Sequence, residues 1–250
     1  MRLQFAPFHY ANFRPYSLAV PHFVRYYTAS EHRILRNVKR KKFYPSAMKT
    51  LILTSSGQFI TANNVDHFLP KKITDCKIAY IITASKKVSD TGYIERHRQK
   101  MDELNFSYDE IDIAGMNENE LKKALDGHDI IMVEGGNTFY LLKAIRESGF
   151  EKVIKKFIEK GVVYVGSSAG SYVACPSIVI STYTKKQKDR CGVTDFTAMN
   201  LVPFLIKAHY TPDLLADLKD IRSKVDYPLH ILSDQQALLI RDGEVQLLGG

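Results

Sequence analysis

The chain has 250 residues, a formal charge of +8 and 45% hydrophobic residues, enough for one α/β domain with a sizeable core. The positive charge is concentrated: nine of the 35 basic residues but one of the 27 acidic ones fall within residues 1–47, leaving 26 of each sign from Met48 onward. That neutral remainder argues against a nucleic-acid partner, no apolar run approaches the ~20 residues of a membrane span, and three cysteines without metal-ligand spacing argue against a disulfide framework or a zinc site and favour a reducing, cytoplasmic setting.

Residues 1–47 form a basic extension rich in Arg, Tyr, Phe and Pro, with one short amphipathic candidate from Ser30 to Lys42. An organellar transit peptide, a tail for anionic surfaces and sequence upstream of the true start all fit this composition. Met48 feeds directly into the apolar Leu51-Ile52-Leu53, which reads as the opening strand of the folded domain, residues 48–250.

From there strands and helices alternate. Leu51 to Thr54 is a strand, Asn63 to Leu69 a helix, and Lys77 to Thr83 a near-continuous apolar run of the kind found in a parallel strand covered on both faces. Helices are predicted at Tyr93 to Leu104, Asn119 to Ala124 with Asn117 as cap, Thr138 to Ser148 and Glu151 to Lys160. Strands are predicted at Tyr108 to Ile113, His128 to Val133 and Val162 to Val165, with a later buried run from Leu201 to His209 and another strand starting near His230. This alternation predicts an open, mostly parallel sheet with helices on both faces, a three-layer α/β/α sandwich.

Ligands in such sheets bind beyond the carboxyl ends of the strands, and two glycine-bearing strand ends fall there. The first is Glu134-Gly135-Gly136-Asn137, where bare backbone can approach a substrate and Asn137 or Thr138 can cap the next helix. The second is Gly166-Ser167-Ser168-Ala169-Gly170, a Gly-x-Ser-x-Gly placed between strand and helix, the sequence form of a nucleophile elbow. Small residues also cluster where a helix packs closely on a strand, so the motif acquires weight from its neighbours. Ser168 is the candidate nucleophile, and the amides of Ala169 and Gly136 are candidate oxyanion donors. A serine nucleophile needs a base, and His209, at the end of a buried run and before Thr211-Pro212, is the histidine best placed to serve.

Together, Val133 to Leu142, Gly166 to Ser171, Asn200 to Phe204 leading to His209, and Leu232 to Ile240 resemble the peptidase E family, serine exopeptidases of the S51 group that include cyanophycinase as a relative. The resemblance implies a class I glutamine amidotransferase-like fold, Ser168 as nucleophile, His209 as general base, Gly136 and Ala169 as oxyanion hole, no cofactor, and a short peptide substrate that Asn137 contacts. The family usually places its third, acidic member eleven to fifteen residues after the serine, where this chain reads Val179-Ile180-Ser181-Thr182-Tyr183. Asp189 and Asp195 are the next acids, and Asp189 is the candidate for orienting His209 if the Lys185 to Arg190 loop folds back. Arg222 lies near the arginine that aspartyl dipeptidases of the family carry, with different flanking residues. A second reading follows from the missing acid: a member that keeps the fold and pocket as a ligand-binding or interaction module. An amidotransferase would carry cysteine at the elbow, and an α/β-hydrolase would place acid and then histidine over a longer span.

Overall fold

A computed structural model of the chain describes residues 49–183, 189–214 and 221–249. The basic extension over 1–47 and the start at Met48 lie outside these residues. The strands are β1 (Thr50–Thr54), β2 (Lys77–Ile81), β3 (Ser107–Ile111), β4 (Ile130–Val133), β5 (Val163–Ser167), β6 (Leu205–Lys207), β7 (Leu229–Ile231), β8 (Ala237–Arg241) and β9 (Glu244–Leu248). The helices are α1 (Gln58–Ala62), α2 (Gly92–Glu103), α3 (Glu118–Leu125), α4 (Thr138–Ser148), α5 (Phe150–Glu159) and α6 (Ala169–Ala174).

Seven strands form one sheet in the order β3-β2-β4-β5-β1-β8-β9. The first five are mutually parallel, while β8 and β9 run antiparallel at one end. Side chains alternate between faces along each strand, and both faces are covered. Leu51, Leu53, Ile131, Val133 and Tyr164 pack with α3, α4, α5 and α6; Ile52, Tyr80, Met132 and Val165 pack with α1 and α2. Three layers result. The edge strand β3 exposes Asp109 and Glu110, charges that blunt that edge against pairing with other chains, whereas β9 at the other edge exposes Val245 and Leu247 beside Glu244 and Gln246.

Local chemistry accounts for most boundaries. Asn117 caps α3 through a capping box with Glu120. In α5 the apolar residues Phe150, Val153, Ile154 and Ile158 turn inward while Lys152, Lys156 and Glu159 face water. The helix expected at Asn63 to Leu69 is displaced: α1 precedes it, and Asn63 ends α1 in an extended conformation, its side-chain Nδ2 donating to the Phe59 carbonyl at 2.9 Å. Only a short 3-10 turn, Asp66–Phe68, remains in that stretch. The buried run at Leu201 to His209 contributes three strand residues, β6, which pairs in parallel with β7 outside the main sheet. A hairpin joins β8 to β9 through Asp242-Gly243, both at positive φ (49° and 90°), the combination a two-residue type I′ turn requires.

Candidate active site

The elbow lies where β5 passes into α6. Ser168 stands between them at φ 46° and ψ −101°, a strained conformation for a residue with a side chain. The surroundings hold it there. The Ser168 amide donates to the Thr54 carbonyl at 3.1 Å, its carbonyl accepts from the Tyr172 amide at 2.9 Å, and the Ser171 hydroxyl reaches both Thr54 and Gly166 carbonyls at 2.8 Å. The flanking glycines are required by close approach: a Cβ at Gly170 would stand 2.1 Å from the Val133 carbonyl oxygen, and one at Gly166 would stand 2.7 Å from that of Gly170. Ala169 is the first residue of α6, where an amide has no acceptor within its own helix.

The second glycine pair packs against this turn, since a Cβ at Gly135 would lie 3.2 Å from that of Ser168. Gly136 adopts φ 140° with its Cα against the Ala84 carbonyl, a place and a conformation that exclude a side chain. The Gly135 amide donates to Glu134 Oε1 at 2.6 Å, and the Gly135 carbonyl accepts from the Tyr93 hydroxyl at 2.9 Å. Glu134 is buried, and its Oε2 accepts from Tyr80 and from His97 Nδ1, both at 2.6 Å. Burial alone would raise the Glu134 carboxyl, but His97, Tyr80 and the Gly135 amide together hold it below the usual carboxylate range, so a fixed negative charge anchors this turn from behind.

His209 follows β6 by two residues, itself at φ 57°. Backbone hydrogen bonds extend the β6–β7 pairing past the strand ends: Leu232 donates to Lys207, and Tyr210 donates to Leu232. The buried Tyr172 hydroxyl accepts from the Ala208 amide at 3.1 Å. The two parallel strands therefore deliver His209 and the segment after Leu232 side by side. His209 Nε2 is 2.9 Å from Ser168 Oγ, and its Nδ1 is 2.6 Å from Asp234 Oδ1. An ionised carboxylate only accepts, so Nδ1 carries the proton and bare Nε2 faces the serine hydroxyl. The imidazole and the Asp234 carboxylate are about half exposed. Among the described residues no group of three or more His, Cys, Asp or Glu is placed to hold a metal ion, and no helix is long and apolar enough to cross a membrane.

The structure thus brings Ser168, His209, Gly135, Gly136 and Ala169 together and differs from expectation at two positions. Asp189 is not at His209. Its carboxylate accepts from the Cys191 amide at 2.8 Å and its carbonyl from Asn137 Nδ2 at 3.1 Å, beside the start of α4. Asp234 occupies the place assigned to it. The usable signal was an aspartate just beyond a short late strand, a position that becomes informative once β7 is known to lie parallel to β6. Asn137 is not available to a substrate either: it is 4% exposed, its Oδ1 caps α4 by accepting from the Phe139 and Tyr140 amides, and its Nδ2 holds the Asp189 carbonyl.

A family model described as peptidase family S51 matches residues 51–248. The chain belongs to peptidase family S51. An uncharacterised peptidase of Listeria monocytogenes is 31% identical over 206 residues, covering 79% of this chain and 97% of the relative. One from Pasteurella multocida is 32% identical over 208 residues, covering 81% and 98%, and a peptidase E of Nostoc is 31% identical over 153 residues, covering 61% and 59%. A crystal structure of a Listeria monocytogenes protein assigned to peptidase E superposes with a TM-score of 0.72 at 30% identity, over 82% of this chain and all of that one. A peptidase from an acI-B1 actinobacterium shares the fold at a TM-score of 0.58 and 15% identity, over 81% and 88%. The S51 chain is therefore a serine peptidase on a class I glutamine amidotransferase-like fold, as the motifs implied. No cysteine stands at its elbow, and burial pushes the thiols of Cys76 and Cys175 up to about 11 and about 12.

Proposed function

We propose that this family S51 enzyme is an exopeptidase acting on short peptides, with Ser168 as nucleophile, His209 as general base and Asp234 as the orienting acid. The unbroken chain from Ser168 Oγ through His209 to Asp234, at 2.9 and 2.6 Å, carries the reading. Ser168 Oγ attacks the scissile carbonyl carbon as its proton passes to His209 Nε2, and Asp234 stabilises the imidazolium that forms. The oxyanion is held by the amides of Ala169 and Gly136, a role that the strained elbow and the anchored glycine turn favour. The proton on Nε2 then goes to the leaving amine. Water attacks the acyl carbon and gives a proton to Nε2, which passes it to Ser168 Oγ as the acyl carbon–Oγ bond breaks and the acid product departs. The exopeptidase preference rests on the likeness to peptidase E, and a reducing cytoplasmic setting without nucleic-acid partners accords with the free cysteines and the neutral domain.

Asp234 supports this reading over a ligand-binding module, because the carboxylate whose absence motivated that alternative is supplied from another segment. Hydrolysis of a panel of dipeptides and aminoacyl arylamides with varied N-terminal residues tests it. Turnover of free-N-terminal substrates that disappears in both Ser168→Ala and His209→Ala is expected. Turnover that survives Ser168→Ala, or cleavage restricted to internal bonds of long peptides, would contradict it.

A further inference from the structure

Ser55 is the first residue after β1 and is fully buried. It touches no candidate substrate position, yet its hydroxyl lies between the two members of the site that come from different segments. Ser55 Oγ donates to Asp234 Oδ1 at 2.8 Å, the same oxygen that accepts from His209 Nδ1, and it accepts from the His209 backbone amide at 2.7 Å. A hydroxyl has one proton to give, and the carboxylate can only accept, so the direction of both bonds is fixed. The Ser55 amide adds a third tie, donating to the Gln236 carbonyl at 3.3 Å.

Two features of the site make this bridge consequential. Asp234 is 60% exposed, so water competes for its carboxylate and its rotamer needs an internal partner to keep it on Nδ1. His209 sits at φ 57°, a conformation that persists only where neighbours over-determine it, and its own amide is secured by Ser55. We infer that Ser55 is a positioning residue for catalysis, holding the acid and the main chain of the base in register at the end of β1. This rests on the proposed Ser168–His209–Asp234 machinery.

The test follows covalent labelling of the full chain by a fluorophosphonate, in which Ser168 Oγ bonds to phosphorus and fluoride leaves, so that no peptide substrate need be known. Ser55→Ala, which removes only the hydroxyl, is expected to slow labelling between about 10- and 100-fold, the range for losing a hydrogen bond to a charged group. Ser55→Cys, which keeps a weak donor of similar shape, is expected to fall between Ala and wild type. In an Asp234→Ala background the Ser55→Ala effect should shrink to less than about three-fold, since most of it acts through that carboxylate. A purely structural role would slow both backgrounds alike. Equal losses in the two backgrounds, or wild-type labelling rates in both Ser55 variants, overturn the inference. A wild-type chain that never labels at Ser168 overturns the nucleophile assignment itself and this inference with it.

Discussion

Replacing Asp234 by alanine removes one acceptor and two hydrogen bonds: the 2.6 Å bond from His209 Nδ1 and the 2.8 Å bond from Ser55. A hydrogen bond to a charged group contributes about 1.5–3 kcal/mol when it is well shielded. The carboxylate is 60% exposed, so water recovers part of that and the lower end applies to each bond, roughly 3 kcal/mol for the pair. Each 1.36 kcal/mol is a factor of ten, which places the loss in kcat at about 10²- to 10³-fold, below the ~10⁴ seen when a buried triad carboxylate is neutralised. KM should change by less than about three-fold, because the bonds lost orient the base and do not hold the substrate. The assay is steady-state hydrolysis of whichever substrate the wild type turns over fastest, beside Asp189→Ala as control, with thermal unfolding to confirm that both variants fold. Asp189→Ala is expected to retain kcat within about three-fold. An Asp234→Ala variant with wild-type kcat, or an Asp189→Ala variant that loses two orders of magnitude while folded, would refute the reasoning.

Other consequences can be checked independently. Glu134→Gln should destabilise the fold by about 2–4 kcal/mol, measured by urea unfolding at pH 7, because it removes the buried carboxylate that accepts from Tyr80, His97 and the Gly135 amide. The folded Glu134 carboxyl lies below its ordinary value of about 4.3, so its contribution is fully present above that pH and is lost as pH falls through the lower folded value. The variant should therefore show a flatter decline in stability than wild type below about pH 4.3. Tyr93→Phe frees the Gly135 carbonyl, and with it the orientation of the peptide that carries the Gly136 amide, so kcat should fall between about two- and ten-fold at constant KM. Asn137→Ala removes a helix cap and the strap to Asp189, lowering stability by about 1–2 kcal/mol in the same unfolding assay, with KM within about two-fold if the residue does not touch substrate. Gly170→Ala, with its Cβ 2.1 Å from a backbone oxygen, should cost more than about 3 kcal/mol or prevent accumulation of folded protein altogether.

How far the sequence could be read follows from the range over which each feature is determined. The Gly135–Gly136 turn and the Ser168 elbow were legible because they pack their requirements into four and five residues: glycines where backbones approach within contact distance, and, in the elbow, a serine between strand and helix. The β/α alternation was legible for the same reason, and α4 begins at Thr138 and ends at Ser148 as the pattern predicts, capped by Asn137 and stopped by Gly149 in the left-handed region. Asp234 was not legible. It lies 25 residues beyond His209, and its role depends on β6 and β7 lying parallel, with three residues each and no strong periodicity. Asn137 illustrates the converse. A polar residue beside a glycine pair at a strand end suggests a ligand contact, whereas its side chain is consumed by two amides and a carbonyl, an assignment only the fold of the Asp189 segment reveals. Ser55 carries no local signature at all, since a serine after a buried strand is unremarkable until the three segments around it are known.

The most direct test of the whole account is to treat the full chain with a fluorophosphonate and map the adduct by peptide mass spectrometry. A single adduct on Ser168 is expected, at a rate that drops by orders of magnitude in His209→Ala while the fold is retained. An adduct on Ser167 or Ser171, or a folded protein in which Ser168 remains unmodified, would contradict the assignment of Ser168 as the nucleophile of this peptidase.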